Sequence, residues 1–245
     1  MDLGSYTDLG KSRPINEDDF YVSEYVEELD TVYALVADGM GGHNAGEIAS
    51  AMAVEEISTF VNQNFTPQVK PDKVKDLLVA AINSANRKVY ETSNEEDRCR
   101  GMGTTVTACF LLAGNAVIAH AGDSRAYIIR GGTIHKITSD HSLVSELLEK
   151  GQITPEQARN HPQKNVITRA VGTDSSIEID VFEFTVQPED IILLCTDGLT
   201  NMLYDQELLK IISSAVSMQE AAVNLVDAAN GQGGLDNITA VLLKI

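Results

Sequence analysis

With 245 residues and 43% hydrophobic content, the chain can build a substantial core, and no break in composition divides it into two domains. Eighteen basic against thirty-six acidic residues give a net charge of −18, a field that repels phosphate backbones and anionic membrane surfaces and argues against nucleic acid or membrane as partner. No apolar run nears the roughly 20 residues of a membrane span, and Met1-Asp2-Leu3-Gly4-Ser5 lacks the basic start and apolar stretch of a signal peptide.

From Asp19 to about Gly39 the β-formers Tyr21, Val22, Val32, Tyr33, Leu35 and Val36 flank a charged turn, Glu24 to Asp30, predicting strand, turn, strand. Ile48, Met52, Ile57, Phe60 and Val61 then recur at helical spacing, and a second helix after Pro71 carries Val74, Leu77, Leu78, Ala81, Ile82, Ala85 and Val89 on one face. Thr104 to Leu112, Ala116 to Ala121, Arg125 to Arg130 and Thr133 to Ile137 read as strands. Their connections, Ala113-Gly114-Asn115, Gly122-Asp123-Ser124 and Gly131-Gly132, are short enough to predict antiparallel neighbours. Residues 139 to 164 turn polar, with a short helical pattern at Leu143, Leu147 and Leu148 and a break at Gly151 and Pro155. We expect a flap-like insertion at about 142–164 over the sheet edge. Strand-like Val166 to Ala170, Ile177 to Val186 and Ile191 to Cys195 follow, then helices around Leu208 to Ala215 and Ala221 to Ala229, and a last strand from Ile238 to Leu243. Strands meeting strands, with helices in two clusters, predict an α+β fold of two antiparallel sheets with helices outside.

Asp38, Asp123, Asp197 and Asp236 each stand where an apolar strand-like run meets a turn. Singly, each is an ordinary turn signal. Together, gathered at one sheet edge, they would repel one another unless cations lay between them, and an all-oxygen donor set suits Mg²⁺ or Mn²⁺ rather than zinc. The glycine-rich run Gly39 to Gly46 fails as a phosphate cradle. The third glycine of a dinucleotide fingerprint would fall at Asn44, and no Lys-Ser/Thr pair completes a phosphate loop. Arg13, followed by Glu17 and Asp18, offers a planar guanidinium matched to phosphate oxygens. Cys99, Cys109 and Cys195 are odd in number and lack metal-ligand spacing, so buried free thiols in a reducing, cytoplasmic compartment are expected. Cys195 lies close to Asp197, but no phosphate-cradling loop ending in Arg follows it.

These residues resemble, block after block, the metal-dependent protein serine/threonine phosphatases of type 2C in their bacterial form. The blocks run from Thr7-Asp8-Leu9-Gly10 with Arg13, Asn16, Glu17 and Asp18, through Asp38 to Ser50, Met102 to Thr105, Gly122 to Arg125, Thr138 to Ser142 and Thr168 to Gly172. Cys195 to Leu199 and Asp236 to Thr239 complete the series, which covers nearly the whole chain. The resemblance implies a single catalytic domain over residues 1–245, a four-layer α-β-β-α sandwich. It also implies that Asp38 bridges two metals, with the Gly39 carbonyl on one, Asp197 and Asp236 on the other, and Glu17 and Asp18 nearby through water. A third, looser metal would use Asp123 with Asp197, and Arg13 would hold the substrate phosphate. Two such cations, about 3.5–4 Å apart, can share a water, lower its pKa toward about 7 and neutralise the phosphoryl oxygens, so no phosphoenzyme is required.

The leaving group needs a proton, and His43, beside Asp38 and Gly39, is the candidate donor. His120, inside an apolar run, reads as structural; His135, His141 and His161 have no assigned role. The expected partners are phosphorylated proteins, substrates of a cognate serine/threonine kinase or its autophosphorylated form, with the phosphatase itself a monomer. A binding module that keeps the fold without turnover, and a phosphatase of small molecules, are the competing readings.

Overall fold

A computed structural model describes residues 1–41 and 45–245. In its first half the chain forms β1 (Asp2–Asp8), β2 (Asp18–Val22), β3 (Thr31–Met40), α1 (Gly46–Asn64), α2 (Pro71–Glu95), β4 (Gly103–Thr104), β5 (Val106–Leu112), β6 (Asn115–Ala121), β7 (Arg125–Arg130) and β8 (Thr133–Lys136). There follow α3 (Leu143–Glu149), α4 (Pro155–Arg159), β9 (Asp180–Thr185), β10 (Ile191–Cys195), α5 (Asp197–Thr200), α6 (Asp205–Ser214), α7 (Met218–Gly231) and β11 (Ile238–Lys244). One sheet runs β1-β11-β10-β7-β8; the other runs β2-β3-β5-β6-β9, with β4 added against the end of β3. The strand pairings are antiparallel.

The apolar runs of the central strands are continuous because both of their faces are covered. Along β3, Val32, Ala34 and Val36 point into the space between the sheets and meet Ile192, Leu194, Val241 and Leu243 of the facing sheet. The alternate residues Tyr33, Leu35 and Ala37 face the other way, onto Ala49, Ala53, Ile57 and Val61 of α1 and Leu78, Ile82 and Val89 of α2. Leu193, Cys195, Ala240 and Leu242 likewise turn outward to Leu225 and Val226 of α7 and Leu208 and Ile212 of α6. A period of two on the strands and of 3.6 on the helices therefore produces the four layers, helix-sheet-sheet-helix, expected for this α+β chain.

Several details depart from the sequence reading. The turn Gly122-Asp123-Ser124 is not a hairpin, because β6 and β7 belong to different sheets and the turn carries the chain from one to the other. Short loops join antiparallel neighbours only within one sheet, and loop length alone cannot tell the two cases apart. β1 was not foreseen; its small and polar residues hide it, yet it pairs with β11 along its length. Gly4 lets β1 lie against α7, since a Cβ there would sit 2.1 Å from the Met218 carbonyl carbon. Val166 to Ala170 is not a strand: this stretch and its neighbours form only isolated bridges, Ile167 to Ser142 and Val171 to Thr104. Pro155 starts α4 rather than ending a helix, at the first helical position, behind a capping box between Thr154 and Gln157.

At the far end of β7 from that crossover, Arg130 Nε donates to Asp190 Oδ1 at 2.9 Å and Gln187 N–H donates to Asp190 Oδ2 at 2.7 Å. Burial alone would raise the Asp190 pKa, but Arg130 and Gln187 outweigh it and hold the carboxyl below the usual aspartate range. The stability it contributes is then present above the ordinary pKa of about 4 and lost as pH falls through the lowered value. Asp190→Asn is expected to cost about 1–3 kcal/mol in denaturant unfolding near neutral pH. The gap should close in acid; a gap that persists there would overturn this account.

Candidate metal centre

In antiparallel sheets the C-terminal end of one strand lies beside the N-terminal start of the next, which collects the aspartates at one end of the sandwich. Asp38, near the end of β3, is paired with Asp18, the first residue of β2. Asp123 lies on the crossover after β6, Asp197 opens α5 directly after β10, and Asp236 comes just before β11. The cleft at this end is lined by Arg13, Glu17, Asp38, Gly39, Asp123, Asp197 and Asp236, with Asn165 and Ile167 on its rim. Asp18 is not a lining residue; it is buried below the cleft floor, 8% exposed.

Local backbone geometry fixes each of these side chains. The Asp38 N–H donates to Thr105 Oγ1 at 2.9 Å, and its carbonyl accepts from Thr104 Oγ1 and Thr105 N–H, both at 2.9 Å. The gap between β4 and β5 thus turns two threonines onto β3. Gly39 has no room for a side chain, since a Cβ would lie 2.1 Å from the Gly46 carbonyl oxygen; its N–H donates to the Glu17 carbonyl at 2.9 Å. Asn237 binds the N-terminal loop, accepting from Glu17 N–H at 2.8 Å and donating to the Leu9 and Ile15 carbonyls at 2.9 Å each. Asn201 Nδ2 donates to Asp197 Oδ2 at 2.9 Å.

Asp18 spans the two sheets. Its Oδ2 accepts from Oγ1 of Thr239, on β11 of the opposite sheet, at 2.7 Å and from Oγ1 of Thr196, just past the end of β10, at 2.8 Å, while its Oδ1 is buried without a partner. Burial raises its pKa to about 7; the two threonine hydroxyls oppose the rise, and Asp197 and Asp236 add to it. Asp38 is pushed well above the carboxylate range by burial and then by the charges of Asp18 and Asp197. Burial, reinforced by Asp197, does the same to Asp123, and burial with Asp236 raises Asp197. Asp123 Oδ1 is also buried and unpartnered.

A divalent cation fits this arrangement. The donors are oxygens, their charges repel where the side chains are partly or fully buried, and the buried Oδ1 atoms of Asp18 and Asp123 have no hydrogen-bond partner. Among the described residues no three acidic, imidazole or thiolate side chains already close into a cage, so the donors form the floor of an open cleft. Arg13 is the cation at the rim. Its Nη2 donates to Asp236 Oδ2 at 2.8 Å and its Nη1 lies 3.7 Å from Glu17 Oε2. The structure therefore brings together Arg13, Glu17, Asp38, Gly39, Asp123, Asp197 and Asp236, sets Asp18 beneath them, and leaves His43 outside the described residues. His120 is buried as expected. The sequence reading gave no role to Thr105, Thr196, Thr239, Asn201 or Asn237. Thr196 and Asn237 adjoin aspartates and Thr105 and Thr239 lie in the short blocks, whereas Asn201, four residues after Asp197, carries no such signal.

The family model described as Protein phosphatase 2C matches residues 11–237. Protein phosphatase PhpP of Streptococcus pneumoniae is 40% identical over 245 residues, 100% of this chain and 98% of that protein. The S. agalactiae serine/threonine phosphatase structure superposes with a TM-score of 0.89 at 36% identity, covering 99% of both chains. The catalytic domain of the serine/threonine protein phosphatase PstP, solved in complex with two manganese ions, gives 0.86 at 30% identity over 98% of this chain and 96% of that one.

Thr105 Oγ1 also shares a 2.7 Å hydrogen bond with Ser124 Oγ on the crossover. Thr105→Val would strand the Asp38 N–H, and we expect a loss of about 1–3 kcal/mol in denaturant unfolding of the metal-free protein. Ser124→Ala, which leaves that N–H partnered, should cost less; the reverse order would refute this role for the hydroxyl.

Proposed function

This chain belongs to the protein phosphatase 2C family and is a protein serine/threonine phosphatase, and we propose that it hydrolyses phosphoserine and phosphothreonine on proteins by direct transfer to water in the Asp38 cleft. The observation that carries the reading is the convergence of Asp38, Asp123, Asp197 and Asp236 in one cleft with Arg13 at its rim.

Asp38, the Gly39 carbonyl, Asp197 and Asp236 are the proposed holders of two divalent ions, Mn²⁺ or Mg²⁺, with Asp123 and Asp197 holding a looser third. Glu17 and Asp18 are proposed to act nearby through water. When bound, such ions acidify water and neutralise phosphoryl oxygens. The two manganese ions of the PstP structure support this reading. Arg13 is half-exposed and reaches the cleft, so its fork can leave Asp236 for the substrate phosphate. His43 is the proposed proton donor to the leaving serine or threonine oxygen; it follows shortly after Gly41, which lines the cleft. No side-chain nucleophile is needed, and Cys195 is unfit for one: burial pushes its thiol up to about 12. We further propose that the enzyme works as a cytoplasmic monomer on proteins phosphorylated by a serine/threonine kinase of the same cell. The segment 142–164, which carries α3 and α4, is proposed to shape which phosphoproteins enter.

Asp38→Ala and Asp197→Ala should each lower phosphopeptide hydrolysis by at least about 10³-fold, while Cys195→Ser retains it. Excess chelator should silence the wild type and added Mn²⁺ restore it; full turnover in chelator would sink the metal reading. Deleting residues 142–164 should change phosphopeptide preference more than turnover of a small aryl phosphate, and equal effects on both would count against the role of that segment.

A further inference from the structure

His141 meets the crossover from two directions. Its N–H donates to the Gly122 carbonyl at 2.7 Å, and the Gly122 N–H donates to His141 Nδ1 at 3.0 Å. Because Nδ1 accepts, the ring proton sits on Nε2, which points to Asp180 Oδ2 at 3.2 Å. Arg169 Nη1 lies 3.0 Å from the same Nε2, donor against donor, and is kept there by its own 2.8 Å bond to Asp180 Oδ1. Asp180 therefore sets both groups. Behind the ring stands His120, 4.8 Å away between centroids, with its Nε2 donating to the Ser139 carbonyl and its Nδ1 accepting from the Thr107 hydroxyl.

The crossover depends on a brace of this kind. Gly122 has φ +121°, and a Cβ there would lie 2.5 Å from Thr105 Cβ, so its backbone is pressed against the residue that fixes Asp38. The next residue, Asp123, has a buried oxygen with no partner, and among the described residues the Gly122 N–H bonds only to His141.

We propose that His141 is a positioning residue of the phosphatase: by accepting the Gly122 N–H it holds the turn that aims Asp123 into the cleft, and Asp180, itself held by Arg169, accepts from Nε2 and keeps the ring in that orientation. The effect on metal binding rests on the proposed role of Asp123 as a ligand, whereas the bracing belongs to the chain itself.

Two substitutions separate the ring nitrogens. His141→Asn sets an oxygen near the place of Nδ1 and cannot reach Asp180; His141→Gln keeps the reach toward Asp180 and loses the acceptor facing Gly122. In the metal-free protein, exchange of the Gly122 amide should quicken about tenfold or more in His141→Gln and stay within about threefold of wild type in His141→Asn. Asp180→Ala, at a side chain 34% exposed, should quicken it severalfold; it serves as the readout if a change at His141 unfolds the protein. Equal rates in the two His141 variants, or no change in Asp180→Ala, would overturn the bracing. Manganese titration by calorimetry should show His141→Gln weakening the loosest binding step about tenfold, as Asp123→Ala does more strongly. If Asp123→Ala alters no step, the ligand reading falls while amide exchange still decides the bracing. If Asp123→Ala alters a step that His141→Gln leaves intact, the aiming role of His141 is refuted.

Discussion

Five carboxylates, of Asp18, Asp38, Asp123, Asp197 and Asp236, are held at one end of the sandwich, and their mutual repulsion is the constraint that the surrounding structure answers. Hydrogen bonding answers it in part, with threonine hydroxyls on Asp18 and an asparagine amide on Asp197. Arg13 answers another part at the rim. What is left over is crowded acid with unpartnered buried oxygens on Asp18 and Asp123, and the proposed ions would supply the balance. The sandwich tolerates this unfavourable end because three clusters of buried apolar residues fill the space between the sheets and beneath the helices on either side, and because each aspartate sits on backbone fixed by the strand before or after it.

Asp18 is instructive because its bonds tie the two sheets together at the point of greatest charge. It belongs to one sheet, while Thr239 belongs to the other and Thr196 directly follows that sheet's β10. The crossover at Gly122-Asp123-Ser124 joins the same two sheets a second time, through the chain itself. The spacing between proposed ligands is therefore set by how the sheets stack, and the inter-sheet layer of Val36, Ile192, Leu194 and Val241 bears on the cleft as much as the residues that line it.

Much of this was legible in the chain. Continuous apolar runs in β3, β10 and β11 announced strands buried on both faces, and the turn residues that ended them were the aspartates now found at one cleft. The missing parts share a physical cause, namely pairing that depends on distant residues. β1 is too small and polar to betray its partnership with β11, and a three-residue turn reads the same whether it folds back or crosses over. Thr105 and Asn237 hold the cleft through single hydroxyl and amide groups, which leave no periodic signal. His141 lay in a recognisable block, but its use of both ring nitrogens appears only when Gly122 and Asp180 are seen on either side of it.

The burial of the thiols has a consequence for the conditions under which such an enzyme can work. Peroxide attacks thiolates, and a phosphatase that depends on a low-pKa cysteine is silenced once that sulfur becomes a sulfenic acid. Cys109 and Cys195 lie in the core with their thiols pushed far up by burial, and Cys99 is buried as well. On the proposed mechanism the chemistry is carried by carboxylate oxygens, and no cysteine is among the residues that line the cleft. Dephosphorylation by it would continue through an oxidative burst that stops thiol-based relatives in trade, if not in descent.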